Sequence, residues 1–258
     1  MPMHPMDMPH AGGSRRQASL SIIIPTYQEA GQIGRLIAYL HNHSLVEQVE
    51  IIVADGGSID GTPQEAQQAG ADIVLHTAPG RAVQMNAGAR QAIAPVLYFL
   101  HADSFPPESF AESILQAVAR GSQAGCFRMR FDSGKWLLKI NQFFTRLPFL
   151  FCRGGDQSLF ITRQLFDRLG GFREELRIME DFDFIQRIRQ HTHFHILPQY
   201  VTTSARKYAH NAWWRVQYAN FTIIRMWRKG ASQDEMVATY QRLLHYRRPP
   251  AGPPKARG

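Results

Sequence analysis

The stretch APVLYFLHADSFPP, residues 94–107, decides the fold. Its first half, Val96–Leu100, is a continuous apolar run of the length that is typical of a strand buried on both faces. The run ends at His101-Ala102-Asp103, where two side chains of metal-binding type are separated by one residue. A carboxylate that follows a buried strand can bind a divalent cation that also holds phosphate oxygens. An isolated Asp after a strand is more often a turn former, so this stretch alone leaves both interpretations open.

Strands and helices alternate along the chain before this stretch. Apolar runs at Leu20–Ile24, which Pro25 is expected to end, and at Val49–Ala54 and Ala71–Leu75 predict three more strands, with helical spacing between them. This alternation predicts an α/β domain with a mostly parallel sheet flanked by helices. Ligands of such sheets bind beyond the carboxyl ends of the strands, so the loops that follow the strands are predicted to form one site. Those loops are Pro25–Gly31, Asp55–Thr62 and His101–Pro107.

The charge of the chain is unevenly distributed. The 258 residues carry a formal net charge of +8, and the tail from Arg247 contains four basic residues and no acidic one. From Phe184 to Gln233 there are eight Lys or Arg and no Asp or Glu. Such a block suits diphosphates or an anionic membrane surface. Because half of the net charge lies in the tail and no known nucleic-acid motif is present, we predict no specific nucleic-acid partner.

Composition also indicates organisation and location. The two cysteines, Cys126 and Cys152, are typical of a reducing compartment. No apolar run approaches the roughly 18–20 residues of a membrane span, and the N-terminus lacks the apolar region of a signal peptide. We expect a cytoplasmic protein that can associate peripherally with the inner face of the membrane. The predicted parts are a disordered tail (1–18), a main domain (19–210), a C-terminal helical extension (211–246) and a basic disordered tail (247–258).

The loop DGGSIDGT, residues 55–62, has two interpretations. Its glycines supply the positive backbone angles of ordinary turns. Alternatively, Asp55 accepts hydrogen bonds from a nucleobase or ribose, and Gly57 permits its close approach. The loop matches neither the G-x-G-x-x-G pattern nor a P-loop, so the usual dinucleotide and ATPase interpretations lack support.

Three further groups of polar residues are candidates. Arg81 and Asn86 belong to GRAVQMN at a predicted helix start, where anions bind well. Glu180-Asp181 opens another predicted helix and either complements the helix dipole or supplies a general base. Arg206-Lys207 could contact a phosphate, although a solvated pair is the more common outcome.

Each of these signals alone leaves the function of its residues undecided. The order of six sequence blocks along the chain is more specific. The blocks are IIIPTYQEA (22–30), VADGGSIDGT (53–62), GRAVQMNAGA (80–89), LYFLHADSFPP (97–107), GGDQSLFITRQLFDRLGGF (154–172) and IMEDFDFIQRIR (178–189). In this order they closely resemble the family 2 glycosyltransferases, which have the GT-A fold. The resemblance spans about Leu20 to Gln190.

The resemblance implies roles for individual residues. Asp181 matches the catalytic base of the ED motif, beside Glu180, and Asp103 matches the last Asp of the DxD metal motif, beside Ala102. Asp55 matches the first carboxylate of the nucleobase-binding loop. The first nucleotide-contacting loop is matched by Pro25, Thr26, Tyr27 and Glu29. The acceptor-side loop is matched by Gly155, Asp156 and Gln157.

The resemblance also implies a reaction. Such enzymes are inverting: Asp181 would deprotonate an acceptor hydroxyl, which then attacks the anomeric carbon of a nucleotide sugar. A divalent cation, Mn²⁺ or Mg²⁺, together with Arg and Lys side chains, would stabilise the leaving nucleoside diphosphate. A UDP-sugar is the expected donor, and the acceptor is not identified by the sequence.

Two positions depart from the family pattern. Gly56 stands where many members have a second Asp, and His101 stands where the DxD motif has its first Asp. His101 could ligate the cation or pack nearby, and its presence leaves a non-catalytic nucleotide-sugar-binding protein as the alternative function. The His-Ala-Asp form resembles a bacterial subgroup named for arsenosugar biosynthesis and found with radical-SAM enzymes.

The segment Asn211–Lys229 is a long predicted helix without a breaker. One stripe of this helix consists of Trp213, Val216, Asn220, Ile223, Ile224 and Trp227. Basic residues lie on the other arc, together with Trp214, Tyr218 and Phe221. We expect a helix that packs on the domain with a partly exposed basic face. The alternative is an interfacial helix on anionic lipid or on a partner subunit.

Overall fold

The computed structural model describes residues 18–44, 48–147 and 158–244, which form one mixed sheet with helices on both faces. The strands are β1 (Leu20–Thr26), β2 (Val49–Asp55), β3 (Ile73–His76), β4 (Val96–Phe99), β5 (Ser104–Phe105), β6 (Ala124–Phe131), β7 (Leu159–Thr162) and β8 (Phe194–Thr203). The helices are α1 (Ile33–Asn42), α2 (Thr62–Gln68), α3 (Arg81–Gln91), α4 (Phe110–Ala119), α5 (Trp136–Phe144), α6 (Arg163–Arg168), α7 (Glu180–His191), α8 (Lys207–His210), α9 (Trp213–Arg228) and α10 (Gln233–Leu243).

The first half of the sheet is parallel, in the order β3-β2-β1-β4, as the alternating pattern predicts. The prediction that Pro25 ends the first strand is wrong, because β1 continues to Thr26 in register with Asp55. The pairing of β4 with β1 stops at Ile23, whose carbonyl accepts the N–H of Leu100. Two residues later, the backbone nitrogen of Pro25 also points toward β4, but it lies beyond the paired residues. Its missing N–H therefore breaks no hydrogen bond between the two strands. The strand order reverses at β1, because β2 and β3 extend the sheet on one side of it and β4 lies on the other, and ligands bind at this point in such sheets.

The second half of the sheet mixes orientations, in the order β7-β6-β8-β5. The strand predicted over Phe194–Leu197 is longer, because β8 runs parallel to β6 as far as Thr203. The register shifts opposite Phe127/Arg128, at Pro198 and Gln199, since a proline cannot donate to the ladder. The far end of β8 pairs with the two-residue strand β5 directly after Asp103.

The apolar core has two parts, one on each face of the sheet. Ile22 and Ile24 of β1 contribute to one part, whereas Ile23 between them contributes to the other, as the two-residue period of a strand requires. Helices α1, α4 and α9 cover the first part, and α3, α6 and α7 cover the second. Val216 and Ala219 of α9 belong to the first part, so the C-terminal extension packs directly on the main domain. Within the described ranges, no helix is both long and apolar enough to cross a membrane.

Gly125 lies where the second half of the sheet is packed so tightly that there is no room for a side chain. A Cβ at this position would lie 2.4 Å from the carbonyl oxygen of His195 and 2.7 Å from the buried ring of Phe160. Neither the backbone of β8 nor a buried ring can move away without disturbing its neighbours. We expect Gly125→Ala to lower the free energy of unfolding by about 3 kcal/mol, measured by urea denaturation. The control is Gly134→Ala, since nothing lies within 4 Å of a Cβ there; equal losses for the two variants would contradict this packing.

Candidate active site

The carboxylate of Asp55 organises the loop after β2. It is buried and accepts hydrogen bonds from Thr26 Oγ1 (3.0 Å), Gly57 N (3.0 Å), Ser58 N (2.8 Å) and Ser58 Oγ (2.5 Å). These bonds fix the ends of β1 and β2 to each other and hold Gly57 in the turn. The turn interpretation is confirmed for Gly57 and Gly61, which both have a φ of 91°, but it is wrong for Gly56, whose φ is not positive. A nucleobase contact by Asp55 stays a prediction.

The loop after β1 is fastened to the loop after β2 through its own backbone. Four consecutive N–H groups of the first loop donate to side chains of the second loop and of α2. The bonds are Gln28 N to Ser58 Oγ (2.8 Å), Glu29 N to Thr62 Oγ1 (2.9 Å), Ala30 N to Asp60 Oδ2 (3.1 Å) and Gly31 N to Glu65 Oε2 (2.6 Å). Because each bond orients one peptide group, the segment that contains the predicted nucleotide contacts Tyr27 and Glu29 has a defined conformation.

Gln84 of α3 accounts for the departure at Gly56. Its buried Nε2 donates to the carbonyls of Thr26 (2.7 Å) and Ala54 (2.8 Å), at the ends of β1 and β2. A Cβ on Gly56 would lie 3.1 Å from this nitrogen, which is tighter than ordinary van der Waals contact. An Asp at position 56 would therefore require the Gln84 side chain to shift by a few tenths of an ångström, which would disturb its two hydrogen bonds. No pattern in the sequence marks Gln84 as a site residue.

Asp103 lies beside two other charged groups at the end of β4. Its Oδ2 accepts a hydrogen bond from Arg206 Nη2 at 3.0 Å, and the same guanidinium contacts both carboxylate oxygens of Glu29 at 3.1 Å. Burial lowers the pKa of Arg206, but the hydrogen bonds and charges of Glu29 and Asp103 outweigh this and raise it above its usual value. Burial raises the pKa of Glu29, and Arg206 partly offsets the rise. The guanidinium group of Arg206 thus pairs with two predicted site carboxylates, those of Glu29 and Asp103.

The sheet itself brings Arg206 to this place. Ser104 Oγ and Thr203 Oγ1 are 2.9 Å apart across β5 and β8, and the next N–H, that of Ser204, donates to the carbonyl of Asp103 at 3.2 Å. Asp132 Oδ1 accepts the N–H of Ala205 at 2.7 Å, which orients the loop just before Arg206. Arg206 thus pairs with two carboxylates although its side chain is still 57% exposed, and a phosphate contact stays a prediction.

The first turn of α7 carries three carboxylates with different surroundings. Glu180 is buried, and its Oε1 lies 2.7 Å from Arg81 Nε at the start of α3, although the angle does not suit a hydrogen bond. Asp183 is buried and pairs with Arg173 (3.1 Å) and Arg187 (2.8 Å). Asp181 alone among the three is partly exposed to solvent. The helix thus presents Asp181 outward while arginines neutralise the carboxylates on both sides of it.

Strained backbone marks the same regions. Among the described residues, the non-glycine residues with positive φ are Gln28 (56°), Ser158 (63°) and Met179 (69°). Gln28 lies in the loop after β1, Ser158 follows the predicted acceptor-side residues, and Met179 directly precedes Glu180. Such conformations persist where the surrounding structure imposes them, and they concentrate at functional sites.

The remaining predicted residues have separate positions. Asn86 is buried in α3, and its amide bonds the backbone of Phe172 in both directions (2.8 and 2.9 Å), so a nucleotide contact would require these bonds to break. Ala102 is buried and His101 is partly buried after β4. Across the described part of the chain, no group of three or more His, Cys, Asp or Glu side chains is arranged to hold a metal ion. Gly155, Asp156 and Gln157 lie outside the described residues.

Solved structures with a similar fold include two that contain a bound nucleotide sugar. A mannosyltransferase, PcManGT from Pyrobaculum calidifontis, in complex with GDP-Man and Mn²⁺, aligns with a TM-score of 0.64 and 18% identity over 88% of this chain and 70% of its own. TarS 1-349 from S. aureus, in complex with UDP-GlcNAc, aligns with a TM-score of 0.60 and 18% identity over 73% of this chain and 59% of its own. Both likenesses concern the fold, which is that of the GT-A glycosyltransferases.

Two relatives found by sequence are also named glycosyltransferases. An uncharacterized glycosyltransferase of Haemophilus influenzae is 26% identical over 192 residues, which is 68% of this chain and 63% of the relative. The glycosyltransferase AglJ of Haloferax volcanii is 29% identical over 104 residues, which is 40% of this chain and 33% of the relative. The chain therefore spans less than two thirds of either relative. Residues 21–174 match the family model Glycosyl transferase family 2, and the chain belongs to this family.

Proposed function

We propose that the chain is an inverting glycosyltransferase that moves a sugar from a nucleotide-sugar donor to an acceptor hydroxyl. The observation that carries this proposal is the environment of the three carboxylates in the first turn of α7. Glu180 and Asp183 are buried next to arginines, whereas Asp181 is partly exposed. A general base must reach the proton that it removes, and of these three groups only Asp181 has an accessible side chain.

The reaction proposed for Asp181 is a single displacement. The carboxylate accepts the proton of the acceptor hydroxyl while the hydroxyl oxygen forms a bond to the anomeric carbon. The bond from that carbon to the diphosphate oxygen breaks, and its electron pair leaves with the nucleoside diphosphate. Attack from the face opposite the leaving group inverts the configuration at the anomeric carbon.

Negative charge that develops on the leaving diphosphate requires stabilisation. Arg206 beside Asp103, and Arg81 beside Glu180, are guanidinium groups at strand and helix ends near the predicted donor site. Arginine suits this task because its planar group donates paired hydrogen bonds to phosphate oxygens. We infer that both contribute to binding the diphosphate.

Asp103 also fits a divalent cation that the donor helps to bind. Mg²⁺ and related cations at phosphate sites are commonly held by one or two carboxylates together with substrate phosphates and water. Asp103 can serve as such a carboxylate, since its side chain remains 25% exposed beyond the end of β4. We propose Asp103 as the protein ligand, with His101 as the candidate second one. When bound, Mn²⁺ or Mg²⁺ would supply Lewis-acid stabilisation of the leaving group.

Three finer assignments belong to the proposal. UDP-sugars are the first donors to test, and the structure of TarS with UDP-GlcNAc supports this choice, whereas that of PcManGT with GDP-Man makes GDP-sugars the second. The His101-Ala102-Asp103 sequence supports membership of the subgroup named for arsenosugar biosynthesis. We propose a cytoplasmic site of action.

A donor screen tests this function. We expect UDP or another nucleoside diphosphate to raise the melting temperature in the presence of Mn²⁺, and its sugar conjugate to be hydrolysed or transferred. NMR of the product should show the anomeric configuration opposite to that of the donor. Binding without turnover of any donor would favour the non-catalytic nucleotide-sugar-binding protein instead.

A further inference from the structure

Helix α9 exposes an aromatic stripe on the face opposite its core contacts. Trp214, Tyr218 and Phe221 are 67%, 58% and 64% exposed, and their spacing of four and three residues places them on one side of the helix. Val216, Ala219 and Ile223 on the other side are buried. The residues that hold α9 on the domain are therefore distinct from those that form the stripe.

Helix α5, which contacts α9, exposes aromatic side chains of its own. Trp136 and Phe143 are 70% and 56% exposed, and they lie seven residues apart on one face of the helix. The two helices touch, because Trp213 Nε1 donates to Asn141 Oδ1 at 3.1 Å. Large aromatic side chains so exposed on neighbouring helices are typical of a binding surface. We call the exposed residues of these two helices the aromatic face.

The charge of the aromatic face is entirely positive. The stripe of α9 continues to Arg225 and Arg228, which are exposed, as is Lys229 at the end of the helix. Lys139 of α5 is exposed as well, and neither helix contains an Asp or Glu. From Trp214 to Arg228 the stripe is about 21 Å long, at roughly 1.5 Å per residue.

We propose that the aromatic face docks on an anionic lipid surface. Aromatic side chains insert at the level of the lipid headgroups, while Lys and Arg next to them bind the anionic groups. A symmetric dimer through this face is disfavoured. Its two-fold interface would bring the positively charged faces of two copies together, with no acidic residue of either helix between them. This proposal goes beyond glycosyl transfer and does not depend on it.

Vesicle sedimentation with the full chain tests the proposal. We expect the protein to sediment with vesicles of phosphatidylcholine and phosphatidylglycerol at about 3:1, but not with phosphatidylcholine alone, and to be released at about 0.5 M NaCl. Arg225→Gln with Arg228→Gln should weaken the binding about 25-fold, since each basic residue near such a surface contributes roughly five-fold. The control is Arg120→Gln with Arg189→Gln, which removes two exposed charges elsewhere and retains the basic tail.

The aromatic side chains are tested separately. We expect Trp214→Ser with Tyr218→Ser and Phe221→Ser to abolish sedimentation without lowering the melting temperature, because all three side chains are exposed. Brominated lipid should quench the tryptophan fluorescence of the unmodified protein, and Trp214→Phe should reduce that quenching. Absence of quenching, equal binding to uncharged vesicles, or equal loss in the control variant would overturn the proposal. So would light scattering that shows a dimer which the triple serine variant dissociates, since the face would then bind a second copy.

Discussion

Asp181→Asn is expected to lower kcat for transfer by about 10²–10⁴-fold while the affinity for the donor nucleotide stays nearly unchanged. The amide has the shape of the carboxylate but cannot accept the acceptor proton at neutral pH. Asp181 is partly exposed, and the amide keeps its shape, so we expect the variant to fold. Steady-state kinetics gives the loss of kcat, and calorimetric titration with the nucleoside diphosphate gives the affinity.

Asp183→Asn is the matched control for this prediction. It makes the same chemical change two residues along the same helix, but it breaks the pairs with Arg173 and Arg187. We expect a loss of about 2–3 kcal/mol in the free energy of unfolding, at the low end for a buried pair because Arg173 is half exposed. Turnover per folded molecule should be largely retained. Normal turnover by Asp181→Asn would exclude Asp181 as the base.

The parallel half of the sheet could be predicted because its signals are local. Continuous apolar runs such as Val96–Leu100 occur where a strand is buried on both faces, and the helices between them have their own period. The second half depends on pairing between distant segments. β5 has only two residues and exists through its bonds to β8, and the apolar pattern of β8 is interrupted at Pro198. Neither feature is encoded in a window of neighbouring residues.

Helix α9 could also be predicted only in part. Val216 and Ile223 of the predicted apolar stripe are buried, as the period of the helix indicates. The third buried residue is Ala219 rather than its neighbour Asn220, because Ala219 lies three residues after Val216 and four before Ile223, on the same side of the helix. A count of large apolar residues cannot identify such a position.

In the candidate site, likewise, the residues within sequence blocks could be predicted, whereas the contacts between distant segments could not. Asp103 and Asp181 are candidates from the sequence because they belong to ordered sequence blocks. Arg206 is a candidate phosphate contact from the sequence, but its pairing with Asp103 and Glu29 could not be predicted, since these partners lie 103 and 177 residues away along the chain. Gln84 likewise contacts strand ends 58 and 30 residues away. Side chains that position a site through contacts between distant segments leave no pattern in one sequence.

Asp103→Asn should reduce the Mn²⁺-dependent part of nucleotide affinity by at least about 100-fold, because even residues behind a metal ligand contribute 10–100-fold. An amide oxygen is a weaker ligand for a hard cation than a carboxylate. Calorimetric titration of the nucleoside diphosphate with Mn²⁺, and again with EDTA, measures the difference. The expected affinity in EDTA is close to that of the unmodified protein.

Arg206→Ala separates metal binding from the ion pair, because it breaks the same contact from the other side. Asp103 and Glu29 keep their charges in this variant, so Mn²⁺ should still strengthen nucleotide binding, even though the affinity in EDTA falls when a phosphate-binding guanidinium is lost. The contact is largely exposed on the Arg206 side, so each substitution should change stability by no more than about 1 kcal/mol. If both variants lost the Mn²⁺ effect to the same degree, Asp103 would act by anchoring Arg206 rather than by ligating the cation. Retention of the Mn²⁺ effect by Arg206→Ala alone therefore identifies Asp103 as the metal ligand.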